Sequence, residues 1–78
     1  MSTPTVDQIL DTSGELCPMP VIKAKMAIDR LTPGQVLQVI ATDPGSKSDF
    51  PGWANSTGNS ILETAEDQGK FVFYIQKN

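Results

Sequence analysis

Apolar residues recur along the chain with two different periods, and each period predicts one kind of element. A spacing of three and four residues identifies two helices, and runs of branched or aromatic residues identify four strands. The run that ends near Thr42 is apolar on both faces, which is typical of an interior strand. The predicted strands span 6–11, 35–42, 59–65 and 70–77, and the predicted helices span 20–31 and 46–56.

The order of these elements, βαβαββ, predicts the architecture. One four-stranded sheet with both helices on one face is the simplest arrangement that covers every apolar stripe. If the first two strands are parallel, their helical connection should be right-handed. The chain of 78 residues is long enough for one small domain and too short for two, so we expect a single α/β (α+β) domain over 1–78.

The start of the second helix has two interpretations. Ser46 and Asp49 have the spacing of a capping box, which would make Ser46 the cap. Pro51 complicates this assignment, because proline is best tolerated in the first turn of a helix. Either the helix begins at Ser46 with a distorted turn, or Asp49 is the cap. Gly58 is the predicted stop.

Two apolar features also allow more than one interpretation. Trp53 shares a helix face with Phe50, which favours a place in the core over a binding platform. Ile22 and Met26 fall away from the buried stripe of the first helix. They are either an exposed docking patch or the flanks of a broad core face.

Charge limits the functions open to the chain. Nine acidic and six basic residues give a net charge of -3 and a pI of about 4.5. This balance argues against direct binding of nucleic acid. The sequence contains neither a signal-peptide pattern nor an apolar run of roughly 18 residues, so we expect a cytoplasmic protein without a membrane span.

The candidate chemistry reduces to one thiol. Cys17 is the only cysteine and the chain has no histidine, which rules out a Cys/His or Ser/His/Asp catalytic unit. We expect no metal site and no cofactor, since one cysteine with scattered carboxylates is not a zinc or iron–sulfur site. Asp43 and Asp49 are better explained as turn and cap residues than as paired catalytic acids. A single activated thiol can attack a sulfur, leave as a sulfur or be oxidised.

The residues around the cysteine predict a thiol at the start of a helix. With Cys17 as the cap, Pro18 and Pro20 occupy the first and third helical positions, where no intrahelical N–H partner is needed. The N–H groups of Met19 and Val21 would then face the sulfur.

Charges near this helix start act in both directions on the thiol. Lys23 and Lys25 favour the thiolate, whereas Asp11 and Glu15 oppose it. We expect the pKa of the Cys17 thiol to lie modestly below its usual value of about 8.5. A buried structural cysteine is the alternative.

Two segments carry a resemblance to a known family. The first segment is Asp11-Thr12-Ser13-Gly14-Glu15-Leu16-Cys17-Pro18-Met19-Pro20. In it a glycine stands two residues before Leu-Cys, and Cys-Pro-x-Pro opens a helix. This segment resembles the signature of the TusA family, also called SirA-like, of small sulfur carriers. The block from Asp43-Pro44-Gly45 to Gly58 is similar to the family's second segment. One departure is Glu15, where many relatives have an apolar residue.

The resemblance implies a two-layer sandwich with a mixed sheet, and Cys17 near one end of it. It also implies a carrier that holds a persulfide on Cys17, rather than a stand-alone enzyme. Donors in such families include cysteine desulfurases and rhodanese-type sulfurtransferases. Acceptors are relay proteins leading to tRNA 2-thiolation or sulfur oxidation, and selenium handling or thiosulfate use are equally open.

The roles expected of the individual residues follow from this resemblance and from their positions. Cys17 carries the sulfur, and Gly14, Pro18 and Pro20 position it. We expect a monomer. The expected partner-binding residues are Met19, Ile22, Lys23, Lys25 and Met26. A thiol redox sensor and a non-catalytic regulatory module are the alternative functions.

Overall fold

A computed structural model describes residues 5–16 and 18–78. Its elements follow the predicted βαβαββ order, and each predicted element is present with its ends moved by a few residues. The elements are β1 (Gln8–Thr12), α1 (Met19–Asp29), β2 (Val36–Ala41), α2 (Ser46–Thr57), β3 (Ser60–Asp67) and β4 (Lys70–Gln76).

The four strands form one mixed sheet in the order β1-β2-β4-β3. β1 pairs with β2 in parallel, from Gln8 opposite Leu37 to Thr12 opposite Ala41. β4 pairs antiparallel with β2 on one side and with β3 on the other. β2 is therefore an interior strand, as its two apolar faces predict, and β1 and β3 are the edges.

Both helices cover the same face of the sheet. α1 packs on β1 and β2, and α2 packs on β3 and β4. The register shows which strand residues face the helices. Leu37 pairs with Ile75 and Val39 pairs with Phe73, so these four side chains point to the same face of the sheet. The buried apolar cluster consists of Ala24, Ala27, Ile28, Leu37, Val39, Phe50, Phe71, Phe73 and Ile75. This confirms the predicted two-layer sandwich.

The capping box predicted for α2 is wrong. Gly45 occupies the cap position with helical dihedrals (φ -60°, ψ -22°), and no side chain caps the helix. The Asp49 N–H already donates to the Gly45 carbonyl at 3.0 Å, so it does not need the Ser46 hydroxyl. The helix begins at Ser46 and contains Pro51, which was one of the two expected alternatives.

The end of α2 confirms the predicted stop. Gly58 is left-handed (φ 78°), which glycine adopts without the steric cost of a side chain. The Gly58 N–H donates to Asn55, and the Asn59 N–H donates to Ala54 at 2.9 Å. These two bonds form a Schellman motif, which satisfies carbonyls at the end of the helix.

Trp53 belongs to the core side of α2, as predicted. Its half-buried ring meets Phe50 edge-on, with centroids 6.0 Å apart and planes at 88°. It packs against the buried cluster.

A two-residue turn joins β3 to β4. Both Gln68 (φ 49°) and Gly69 (φ 82°) are left-handed, the pattern of a type I′ turn. Asp67 pairs directly with Lys70 across it. The hairpin is thus closed by the turn that best matches the twist of its strands.

Neither helix of the described residues has the length and apolar character required to cross a bilayer.

Candidate functional site

The turn that leads from β1 toward position 17 is held by its own backbone. The Glu15 N–H donates to the Thr12 carbonyl at 3.1 Å, and Gly14 between them is left-handed (φ 81°), as the third residue of a type II turn must be. The Ser13 N–H donates to Asp11 Oδ1 at 2.9 Å. Hydrogen bonds from the Ser13 hydroxyl and then from its N–H hold the pKa of Asp11 below its ordinary value.

Two threonines tie this turn to the end of β2. The Gly14 N–H donates to Thr42 Oγ1 at 2.8 Å, and the buried Thr12 hydroxyl donates to the Ile40 carbonyl at 2.7 Å. Because β1 and β2 are parallel, their carboxyl ends lie at the same end of the sheet. The turn before position 17 is therefore fixed to the sheet rather than only to its own strand.

The Gly14→Ala variant is expected to lose about 1–2 kcal/mol of stability, because a left-handed residue with a Cβ is strained. Crowding does not contribute, since a Cβ there would meet nothing within 4 Å. Gly52→Ala is the matched control. It also places a Cβ in open space, but inside α2, where alanine should stabilise by roughly 0.5–1 kcal/mol. Urea unfolding of both variants measures the difference, and equal midpoints would contradict the explanation.

The start of α1 differs from the sequence prediction. Pro18, not Cys17, is the cap (φ -97°, ψ 11°), Pro20 is the second helical residue, and no side chain caps the helix. The Met19 N–H donates to the Leu16 carbonyl at 2.9 Å, so it is not available to face a sulfur. Cys17 itself lies outside the described residues, and the pKa of its thiol stays a prediction.

The two lysines expected to favour a thiolate are each engaged with a carboxylate. Lys23 Nζ lies 2.6 Å from Glu15 Oε2, and Lys25 Nζ lies 2.8 Å from Asp29 Oδ2. The hydrogen bond from Lys25 lowers the pKa of Asp29. The Glu15–Lys23 pair also joins the turn to the second turn of α1, which gives a structural role to the residue that departs from the family pattern.

An apolar groove runs between α1 and β1. It encloses about 310 Å³ and is lined by Gln8, Leu10, Met19, Ile22, Lys23, Met26, Ala27 and Arg30. Met19, Ile22 and Met26 are 41%, 45% and 55% exposed, so Ile22 and Met26 are surface residues and not flanks of the core. The structure thus brings four of the five expected partner-binding residues into one surface. Lys25 does not line it.

Two further acidic residues follow β2, Asp43 in the loop after the strand and Asp49 in the first turn of α2. A Cβ on Gly45 would lie 3.3 Å from Asp43 Oδ2 and 3.5 Å from Asp49 Oδ2, so both carboxylates converge on the first turn of α2. A helix N-terminus favours negative charge. Asp43 therefore lies in the turn, as preferred from the sequence, whereas Asp49 lies in the first turn of α2 and is not its cap.

Sequence reasoning missed two contributions to this region. Thr42 anchors the turn before position 17, and Leu10 of β1 forms a wall of the groove. Both contacts depend on how β1 pairs with β2 and how α1 crosses them. The alternation of β1 could have indicated that Leu10 faces the helices, but no local signal identifies Thr42 as a hydrogen-bond acceptor.

Comparison with known proteins identifies the class of protein to which this chain belongs. The model of the family described as sulfurtransferase TusA matches residues 8–77. A sulfur carrier protein TusA of Allochromatium vinosum is 51% identical over 72 residues, which are 92% of this chain and 95% of that protein. A sulfur carrier protein TusA of Pseudomonas putida is 41% identical and covers 94% of this chain and 91% of its own length.

The fold comparison agrees. The crystal structure of a SirA-like protein from Desulfitobacterium hafniense superposes with a TM-score of 0.79 at 30% identity, over 88% of this chain and 95% of that one. These matches define the class as small sulfur-carrier proteins with a mixed four-stranded sheet. The chain belongs to the TusA family.

Proposed function

We propose that the chain carries sulfur as a persulfide on Cys17 and relays it between two partner proteins. The observation that supports this most directly is the match of the sulfur-carrier family over residues 8–77, a range that includes the only cysteine of the chain. The hydrogen-bonded turn before position 17 and the helix that begins at Met19 add a fixed framework on both sides of the thiol.

The chemistry needs no group besides the thiol and its partners. The Cys17 thiolate attacks the outer sulfur of a donor persulfide, the S–S bond of the donor breaks, and the donor leaves as a thiolate. The product is Cys17–S–SH, with no net oxidation or reduction. An acceptor thiolate then attacks the outer sulfur in the same way and releases the Cys17 thiolate.

The positioning residues act on the backbone around the thiol. Gly14 permits the left-handed turn that Thr42 holds, and Pro18 supplies the cap of α1. Pro20 is buried in the first turn of the helix. These three residues would limit the conformations of the segment that carries the thiol.

The groove on α1 is the proposed docking surface. Met19, Ile22 and Met26 supply apolar area, and Lys23 lies among them. Lys25 would contribute a positive charge to this docking surface from the exposed flank of the helix. We propose a cysteine desulfurase or rhodanese-type donor and a sulfur-relay acceptor, in a cytoplasmic, monomeric, single-domain carrier rather than a stand-alone enzyme, serving tRNA 2-thiolation or sulfur oxidation and trafficking.

Intact-mass measurement tests the proposal. The protein is incubated with a cysteine desulfurase and cysteine, and separately with a rhodanese and thiosulfate. We expect a gain of about 32 Da that dithiothreitol removes, as a persulfide on the thiol requires. No gain from either donor would contradict the proposal and favour the redox-sensor or regulatory-module alternatives.

A further inference from the structure

The two edges of the sheet differ in how open they are to a further strand. β3 is interrupted by a bulge between Ile61 and Glu63, and it exposes Glu63, Glu66 and Asp67. Bulges and charged side chains are the means by which proteins protect an edge strand from pairing. β1 has strand pairing on one side only and no bulge in its register with β2.

Exposed apolar side chains gather around the β1 edge. Ile9, which is 61% exposed, lies on the face of β1 turned away from the helices, and Leu10 lies on the face that lines the groove. The large exposed hydrophobic residues of the described chain are Ile9, Leu16, Met19, Ile22, Met26 and Leu62. Four of these six lie in β1 or in the groove beside it, so the apolar area continues from one face of the sheet around its edge.

The main chain of β1 offers hydrogen bonds in the same place. The Val36 and Ile40 carbonyls of β2 both point at β1, because they accept from the Asp7 N–H at 2.9 Å and from the Thr12 hydroxyl at 2.7 Å. In the parallel register these carbonyls lie opposite the N–H groups of Gln8 and Thr12. Gln8, Leu10 and Thr12 therefore bond to β2, and the N–H and C=O groups of Ile9 and Asp11 point away from it. An added strand would pair with these groups while its alternate side chains entered the groove.

The charge of the groove indicates which kind of peptide segment it would bind. Its charged lining residues, Lys23 and Arg30, are both basic. Lys23 is paired with Glu15, whereas Arg30 takes part in none of the ion pairs seen within residues 5–16 and 18–78. A carboxylate of the bound segment, placed near the end of α1, would therefore complement the exposed guanidinium of Arg30, although the chain as a whole is acidic.

A second copy of the chain fits this edge poorly. An antiparallel pair of β1 strands centred on Ile9 would set Asp7 of each copy against Asp11 of the other, and directly opposed like charges are destabilising. Centring the pair on Leu10 instead sets Ile9 against Asp11. A dimer would also bring basic groove residues together.

We propose that the β1 edge binds an extended segment of a partner protein as a fifth strand. The segment has apolar side chains at alternate positions, which enter the groove, and a carboxylate that meets Arg30. This inference deepens the docking part of the proposed function and rests on it, and it adds the conformation and chemistry of what docks.

The test uses a library of random octapeptides displayed on phage, selected against the full-length protein. We expect the enriched peptides to show alternating apolar residues with an acidic residue near one end. The most enriched peptide is then synthesised, and its affinity is measured by fluorescence anisotropy for the wild type, Ile9→Pro, Ile9→Ala and Arg30→Glu. Amide hydrogen exchange locates the bound segment on the protein.

Ile9→Pro is the decisive variant, because proline on an edge strand is tolerated where the N–H that it removes points outward. We expect roughly threefold to tenfold weaker binding than for Ile9→Ala, which loses the same side chain but keeps the N–H, as the loss of one backbone hydrogen bond implies. Arg30→Glu should weaken binding of acidic peptides by a similar factor, which keeps the test valid if the proline variant unfolds. Exchange protection of Ile9 and Asp11 should accompany binding.

Several outcomes would overturn the proposal: no enrichment, equal affinity for all four proteins, protection confined to α1, or a dimer that forms through β1. The wild type and Ile9→Pro are also loaded from glutathione persulfide, a donor that needs no docking, and both should take up sulfur equally. Loading without edge binding would refute this inference alone, and failure of wild-type loading would refute the sulfur-carrier proposal.

Discussion

Replacing Cys17 with serine should abolish sulfur uptake while leaving the fold intact. Serine has nearly the shape of cysteine, but its hydroxyl is neither ionised near neutral pH nor able to hold a persulfide. The chain has no second thiol to substitute for it. We expect the mass gain of about 32 Da to disappear completely with either donor, with an unchanged circular dichroism spectrum.

A matched control tests whether the loss belongs to the thiol. Leu16→Ala changes the neighbouring side chain, which is 72% exposed, but keeps the sulfur, and it should load as the wild type does. Wild-type protein alkylated with iodoacetamide should behave like Cys17→Ser. A reducible gain of sulfur on Cys17→Ser would refute the assignment, since the sulfur would then be held elsewhere.

Truncating Phe50 to alanine should have the largest effect on stability. Its side chain is fully buried, stacks on Phe73 with centroids 4.7 Å apart and meets Trp53 edge-on. Such a truncation costs about 3–5 kcal/mol. A domain of this length has a total stability of roughly 4–12 kcal/mol, so the variant should be close to unfolding or unfolded.

Urea denaturation followed by tryptophan fluorescence measures this loss, because Trp53 reports on the contact itself. Phe50→Leu keeps most of the buried volume and should lose markedly less. Met26→Ala removes a large but exposed side chain and should stay within about 0.5 kcal/mol of the wild type. Equal losses for Phe50→Ala and Met26→Ala would show that the stacked aromatic contact does not hold α2 on the sheet.

Periodicity was sufficient to predict the order of the elements and the layers of the fold. The run over 35–42 predicts an interior strand because both of its faces are apolar, and β2 lies between β1 and β4. The alternation over 70–77 predicts which side of β4 is buried. Gly58 ends α2 because only the left-handed conformation allows the Schellman bonds there.

The details that failed depend on competition between backbone groups. A sequence shows that Ser46 and Asp49 have capping spacing, but not that the Gly45 carbonyl takes the Asp49 N–H first. In the same way, the proline pair marks the start of α1, but not that the Leu16 carbonyl accepts the Met19 N–H.

Contacts between distant residues were equally hidden. The bond from Gly14 to Thr42 joins positions 28 residues apart, and the Glu15–Lys23 pair spans eight. Both require the strands and helix to be assembled before the partners meet. The resemblance to the TusA family implied a carrier role for Cys17, the only cysteine of the chain, but it did not indicate these supports.

The type I′ turn and the parallel pairing of β1 predict the order in which the strands pair during folding. The β3–β4 hairpin closes through two residues, whereas β1 reaches β2 only by joining residues 29 positions apart. Loop closure of that length is the slower and entropically more costly event, so the hairpin should form early and β1 should dock late. The turn that precedes Cys17 is attached to β1, the strand that is expected to dock last. Transient release of β1 would therefore loosen the thiol segment while the rest of the sheet remains paired.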